Sequence, residues 1–128
     1  MNVLVFSQNR NLPEKLRLRR RKGVVEEVRY AKLAEFSELV KAASTPTLCY
    51  LDVSALEDAK ITAYIRTLKR KENILFGIID PRGKVKDAAR LFHDGAVDYL
   101  DRQSLTGGSG MRRLKRVLDY AQGMHPSV

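Results

Sequence analysis

The sequence predicts a single α/β domain in which helices cover both faces of a parallel sheet. Residues 47–54 form a continuous apolar run that contains one acid, Asp52, and such a run is typical of a strand buried on both sides. Five strand-like segments alternate with five helix-like segments along the chain, which favours parallel pairing through helical crossovers. Asp52 is therefore expected at the carboxyl end of a central strand, the edge where ligands bind in such sheets.

The first half of the chain predicts strand, helix, strand and helix in turn. Residues 2–6 form a short apolar strand, and a proline and a glycine are placed to begin and end a helix over residues 13–23. Residues 24–30 predict an edge strand, because charged residues stand beside its valines. Over residues 32–44 the apolar side chains recur at helical spacing, which predicts a helix with a core-facing stripe.

The second half continues the same alternation. A helix is predicted from about residue 56 to residue 71, with acids in its first turn, where they interact favourably with the helix dipole. Residues 74–79 predict the fourth strand, and residues 85–95 predict a helix whose terminal glycine suits a left-handed backbone. Residues 96–100 predict the fifth strand, and residues 111–121 predict a last amphipathic helix.

Composition favours one domain over residues 1–128. With 128 residues and 44% hydrophobic content, the chain can build one core and is too short for two domains of ordinary size. The one cysteine, Cys49, lies inside the predicted central strand, which indicates an inert buried thiol and suits a reducing cytoplasm. No apolar run reaches the roughly 20 residues of a membrane span, and the N-terminal sequence lacks the features of a signal peptide. We therefore expect a soluble cytoplasmic protein that does not contact a membrane.

The formal net charge of +9 suggests nucleic-acid or other anionic partners. The densest basic clusters are residues 17–22 and 112–116, and neither is interleaved with aromatic side chains as in many single-strand binders. A solvated basic face, or a docking surface for an acidic partner, is therefore favoured over direct nucleic-acid binding. No cofactor or metal is expected, because the chain lacks a Gly-rich phosphate loop with its lysine, and His93 and His125 lack companion ligands at metal spacing.

Residues 88–102 combine an alanine-rich helix, the pair Gly95-Ala96, an acid, a tyrosine and a leucine at residues 98–100, and the basic residue Arg102. This combination resembles the receiver domain of bacterial response regulators. The resemblance extends over essentially the whole chain. It implies a flavodoxin-like sheet of order 2-1-3-4-5, in which the ends of the first and third strands lie side by side, and a role in two-component signal transduction.

The resemblance also implies a phosphorylation pocket, and the sequence departs from the family pattern around it. Asp52 matches the phosphoacceptor, but Ser7 and Gln8 stand where receivers have two acids that help to hold Mg²⁺. Asp80 stands in place of a hydroxyl residue, where a negative charge would repel a phosphoryl group. Arg102 stands in place of a lysine and is expected to form a permanent ion pair with Asp52 or Asp80. These changes predict a degenerate receiver that does not transfer phosphate.

The sequence therefore favours a non-enzymatic regulatory domain that acts through protein–protein interaction. The expected partner is a separate protein, a second copy of the chain, or an output or sensor domain attached beyond Val128. In receivers, the fourth helix, the fifth strand and the last helix commonly form the interface. The corresponding residues here include Arg90, Leu91, Asp94, Tyr99, Met111, Arg112 and Lys115. Two alternatives stay open: a functional receiver phosphorylated on Asp52, and a basic nucleic-acid-binding module.

Overall fold

The computed structural model describes residues 2–8 and 27–102, and the five strands in these ranges form a single sheet. The strands are β1 (Asn2–Phe6), β2 (Glu27–Ala31), β3 (Thr47–Asp52), β4 (Ile74–Asp80) and β5 (Asp98–Asp101). All neighbouring strands pair in parallel, and their order is β2-β1-β3-β4-β5. The predicted α/β fold class and strand order are confirmed, and the order is that of a flavodoxin-like sheet.

The third strand is the buried centre of the sheet, as its apolar sequence predicts. All 6 of its residues are buried, and it pairs with β1 on one side and with β4 on the other. The register sets Phe6 of β1 beside Leu51, and Ile79 of β4 beside Asp52. Asp52 is the last residue of β3, so its predicted position at the carboxyl end of the strand is confirmed.

Helices in the described residues follow β2, β3 and β4. They are α1 (Phe36–Ala42), α2 (Asp58–Lys69) and α3 (Ala88–His93), and a 3-10 turn, Leu33–Glu35, leads into α1. The helix α2 is shorter at both ends than the helix predicted from about residue 56 to residue 71, and it buries Ile61 and Leu68. The first and last predicted helices, over residues 13–23 and 111–121, lie outside the described residues.

Aromatic side chains join the first strand to two helices on one face of the sheet. The rings of Phe6 in β1 and Phe36 in α1 have centroids 4.9 Å apart, and those of Phe36 and Tyr64 in α2 have centroids 4.5 Å apart. Both pairs meet edge to face, the geometry that aligns the positive ring edge with the negative ring face. These contacts place α1 and α2 on the same face of the sheet.

A tyrosine spans the sheet on the other face. Tyr50 points away from Cys49 and Leu51, which belong to the core under the helices, because successive strand residues alternate between faces. Its hydroxyl donates a hydrogen bond of 2.8 Å to Oδ2 of Asp98 on β5. Gly77 of β4 lies between the two residues in register, and the absence of a side chain there leaves space for the tyrosine ring.

The predicted start of α3, the helix expected over residues 85–95, is wrong. The helix begins at Ala88, and not at residue 85, because the amide of Val85 is hydrogen-bonded to the carboxyl group of Asp80 at 2.8 Å. Asp87 then caps the helix by accepting a hydrogen bond from the backbone N–H of Arg90 at 3.2 Å. The residues before Ala88 therefore belong to a loop that Asp80 organises.

The predicted start of the fifth strand is also wrong, since β5 begins at Asp98 and not at residue 96. Gly95 has a φ of 112°, which confirms the positive φ expected of this glycine. The amide of Ala96 donates to the carbonyl oxygen of Leu91 at 3.0 Å, so that the chain is still closing the helix at this point. The sheet ladder can begin only after this turn.

Candidate functional site

The candidate site lies where the neighbouring strands β1 and β3 end. The register sets Phe6 beside Leu51, so that Ser7 comes next to Asp52. The hydroxyl of Ser7 donates a hydrogen bond of 2.5 Å to Oδ2 of Asp52. The aspartate is 4% exposed, and the structure thus brings two of the predicted pocket residues into direct contact in a largely buried position.

A second serine completes the surroundings of the Asp52 carboxyl group, and sequence reasoning did not identify it. The backbone N–H and the hydroxyl of Ser54 both donate to Oδ1 of Asp52, at 3.0 Å and 2.6 Å. Both carboxyl oxygens therefore accept hydrogen bonds, which offsets the cost of removing the group from water. The signal in the sequence is the serine two positions after an aspartate, since aspartate often accepts from the N–H two residues later.

The chain supplies few ligands for a metal at this site. Gln8 is exposed, and neither Ser7 nor Gln8 carries a negative charge. Within residues 2–8 and 27–102, no group of three or more His, Cys, Asp or Glu side chains could hold a metal ion. Because Mg²⁺ is generally held through carboxylates and water or phosphate oxygens, the residues around Asp52 fit it poorly.

Asp80 ends β4 and is fully buried. Its Oδ1 accepts a hydrogen bond from the backbone N–H of Lys84 at 2.9 Å, and its Oδ2 accepts from the N–H of Val85 at 2.8 Å. The hydroxyl of Tyr99 on β5 also donates to Oδ2, at 2.7 Å. Asp80 therefore folds the loop after β4 around its own carboxyl group and joins that loop to β5.

Tyr99 is held in its protonated form. Burial raises the pKa of its phenol, and the hydrogen bond to Asp80 and the negative charges of Asp80 and Asp101 raise it further. At neutral pH the hydroxyl therefore stays a donor to Asp80. This contact gives the loop after β4 a fixed attachment to the edge strand.

Lys84 connects the loop after β4 to the loop after β3. Its amino group donates a hydrogen bond to the carbonyl oxygen of Leu56, which lies between Asp52 and α2. Since the amide of Lys84 is bound to Asp80, the residue is fixed through its backbone and through its side chain. The loops that follow β3 and β4 are thereby joined to each other.

The remaining predicted site residues are distributed over the surface and the core. Arg102 directly follows β5 and is exposed, and its predicted ion pair with Asp52 or Asp80 stays a prediction. Among the predicted interface residues, Arg90 is exposed, Asp94 and Tyr99 are partly buried, and Met111, Arg112 and Lys115 lie outside the described residues. Leu91 is 8% exposed and packs in the core, whereas its neighbour Phe92, which sequence reasoning did not select, is 44% exposed.

No family model, curated protein or solved structure matches this chain significantly. The resemblance to receiver domains accordingly depends on the sequence motifs, together with the sheet order that the structure shows. In the part of the chain that the structure describes, no helix has the length and apolar character needed to cross a membrane.

Proposed function

We propose that this chain is a receiver-like regulatory domain that acts by binding a protein partner and does not transfer phosphate. The observation that carries the proposal is the hydrogen bonding of Asp52, whose two carboxyl oxygens accept from the hydroxyls of Ser7 and Ser54. Both donors are neutral, and one of them, Ser7, stands where a working receiver needs an acidic ligand for Mg²⁺. The sequence resemblance supplies the comparison, and this geometry supplies the reason for inactivity.

Phosphotransfer to Asp52 would meet two obstacles. A carboxyl oxygen has to attack phosphorus, whereas both oxygens are engaged by donors at 2.5 to 3.0 Å. A cation also has to neutralise the charge on the phosphoryl group, and Ser7 and Gln8 contribute no negative charge to hold it. Binding the cation and freeing the nucleophile would therefore both require a rearrangement around Asp52.

The loops near Asp52 support a role in recognition. The carboxyl group of Asp80 binds two loop amides, and Lys84 ties the same loop to Leu56. A loop that is already ordered loses less conformational entropy when a partner binds. The hydrogen bonds thus favour a preorganised surface over a loop that rearranges on phosphorylation.

Phosphorylation chemistry tests the proposal directly. The protein is incubated with Mg²⁺ and either acetyl phosphate or beryllofluoride, and its intact mass and amide NMR spectrum are recorded. We expect no added mass and no Mg²⁺-dependent shifts near Asp52. A phosphoaspartate at Asp52, or Mg²⁺-dependent shifts centred on Ser7 and Ser54, would overturn the proposal and favour the functional receiver.

A repaired pocket provides the matched control. The double variant Ser7→Asp with Gln8→Asp restores the acid pair, and we expect it to bind Mg²⁺ measurably in a calorimetric or NMR titration. The single variant Gln8→Asp adds one exposed charge and leaves the Ser7 hydrogen bond to Asp52 intact. Equal Mg²⁺ binding by the single and double variants would show that Ser7 is not what prevents metal binding.

A further inference from the structure

A cleft lies at the amino edge of the sheet, opposite the edge that carries Asp52. It is bounded by α1 and by the first residues of β1 and β3, it is open to solvent, and its volume is about 220 Å³. Leu4 of β1 and Leu39 of α1 give it an apolar floor, and Arg29 of the edge strand β2 lies at its rim. The cleft therefore combines apolar surface with a cationic side chain.

Arg29 is exposed, at a register position on the face of the sheet that α1 covers. The register sets it beside Leu4, which lies beside Cys49, so the three residues share the face that α1 covers. The guanidinium of Arg29 makes no hydrogen bond or ion pair with any residue that the structure describes. A guanidinium has five N–H donors and keeps its charge at all accessible pH values, so an unpaired one beside an apolar cleft is suited to an anion.

The wall of the cleft formed by residues 43–47 is held in position by two asparagines. Nδ2 of Asn73 donates to the carbonyl oxygens of Ala43 and Thr45, at 2.7 Å and 3.3 Å. Nδ2 of Asn2 donates to Oγ1 of Thr45 at 3.3 Å. The wall is thus ordered without a ligand, so that ligand binding does not incur the entropic cost of ordering it.

Asn73 and Lys71 reduce the electrostatic repulsion that an anion would meet near the end of α1. The carboxyl-terminal carbonyl groups of a helix carry partial negative charge. Here the carbonyl oxygen of Ala43 accepts from Asn73, and that of Lys41 accepts from the amino group of Lys71 at 3.4 Å. Two carbonyl groups at this end of the helix, of which that of Ala43 lines the cleft, are therefore already bound to donors.

We propose that this cleft binds a small amphipathic anion, namely a carboxylate with a short apolar tail. The carboxylate pairs with Arg29 in the fork geometry that guanidinium and carboxylate groups favour, and the tail covers Leu4 and Leu39. The exposed hydroxyl of Ser44, which has no hydrogen-bond partner in the described residues, offers a further donor at the rim. The volume of about 220 Å³ suits a small molecule, since pockets for drug-sized ligands span about 300–1,000 Å³. This proposal does not depend on the absence of phosphotransfer at Asp52.

Sodium hexanoate is a suitable probe, titrated into the full chain and followed by amide, methyl and arginine side-chain NMR. We expect saturable shifts at Leu4, Leu39 and the Nε group of Arg29. Hexan-1-ol lacks the charge and acetate lacks the tail, so each is expected to bind about tenfold more weakly or worse. Acetate that binds as well as hexanoate, or the absence of any saturable shift, would overturn the proposal.

Two charge variants test the role of the guanidinium. We expect Arg29→Gln to weaken hexanoate binding about tenfold or more, because it removes a charge-assisted pair. Arg66→Gln, on the exposed side of α2, changes the net charge equally and should bind like the unaltered protein. Equal weakening by both variants would mean that hexanoate responds only to net charge. If circular dichroism shows that Arg29→Gln does not fold, the unaltered chain tests the role of the charge. Weaker binding of hexan-1-ol than of hexanoate would then support the pairing with Arg29, and equal binding would overturn it.

Discussion

Replacing Gly77 with alanine tests the arrangement of Tyr50 across the sheet. A Cβ built on Gly77 lies 2.6 Å from Cε1 and 2.8 Å from Cδ1 of Tyr50, and 3.2 Å from Cβ of Asp98. The first two distances are shorter than any normal carbon contact. The tyrosine is 1% exposed and its hydroxyl is bound to Asp98, so a shift of the ring would disturb buried packing and this hydrogen bond.

The expected cost follows from these contacts. Adding a methyl group to a packed core costs about 1–3 kcal/mol. If the ring of Tyr50 shifts to relieve the clash, it also loses a hydrogen bond to a buried carboxyl group, which contributes about 1.5–3 kcal/mol. Because two of the contacts are shorter than 3.0 Å, the ring has to shift at least in part, and we expect Gly77→Ala to lower the free energy of unfolding by about 2–4 kcal/mol, between the packing cost alone and the sum of the two costs.

Urea denaturation followed by far-UV circular dichroism measures this loss. The Tyr50→Leu background is the control, because the shorter side chain removes the ring that the new methyl group meets. In that background Gly77→Ala is expected to cost less than about 1 kcal/mol, which gives a coupling energy of more than about 1 kcal/mol. An equal cost of Gly77→Ala in both backgrounds would refute the reasoning, since the penalty could not then arise from the tyrosine.

Two further predictions concern the hydrogen bond of Ser54 and the burial of Cys49. Ser54→Ala removes a hydroxyl donor from the buried carboxyl group of Asp52, and we expect it to lower the free energy of unfolding in urea by about 1–3 kcal/mol. The exposed Ser37→Ala serves as the control, with an expected effect within about 0.5 kcal/mol, and equal effects of the two would contradict the importance of the Ser54 hydroxyl. Burial raises the pKa of Cys49 to about 12, so a thiol reagent at neutral pH should label it only when denaturant is present, and rapid labelling of the folded protein would contradict its burial. The folded pKa lies above the usual 9.0, so the thiol's contribution to stability is complete below pH 9.0 and is lost as the pH rises toward 12. The pKa of Tyr99 is raised as well, so Cys49→Ala should show a smaller alkaline loss of stability than the unaltered protein and not the absence of one.

The fold was largely predictable because its strands differ sharply from their surroundings in apolar content. The buried run that ends at Asp52 identifies β3, and the motifs around Tyr99 supply the strand order through the family resemblance. The starts of α3 and β5 were not predictable in the same way. They depend on hydrogen bonds between the side chain of Asp80 and a loop amide, and between the amide of Ala96 and the end of a helix.

The candidate site was predictable only where strand order determines proximity. Ser7 and Asp52 meet because β1 and β3 are neighbours, which the family pattern implies. The contribution of Ser54 depends on a local turn, whose signal of an aspartate followed two positions later by a serine is too common to be decisive. Which of Leu91 and Phe92 faces the core depends on where α3 begins and how it packs, and the apolar character of the two residues does not distinguish them.

The hydrogen bond from Tyr50 to Asp98 also affects how the sheet can come apart. At 4 residues, β5 is shorter than the other described strands, and it lies at the sheet edge, where local opening would be expected to start. Separation of β5 from β4 would break the contact with β3 as well, because the tyrosine reaches over the strand between them. The edge strand is therefore joined to the centre of the sheet in one cooperative unit, and its amides should exchange with solvent at rates closer to those of β3 than its length and position suggest.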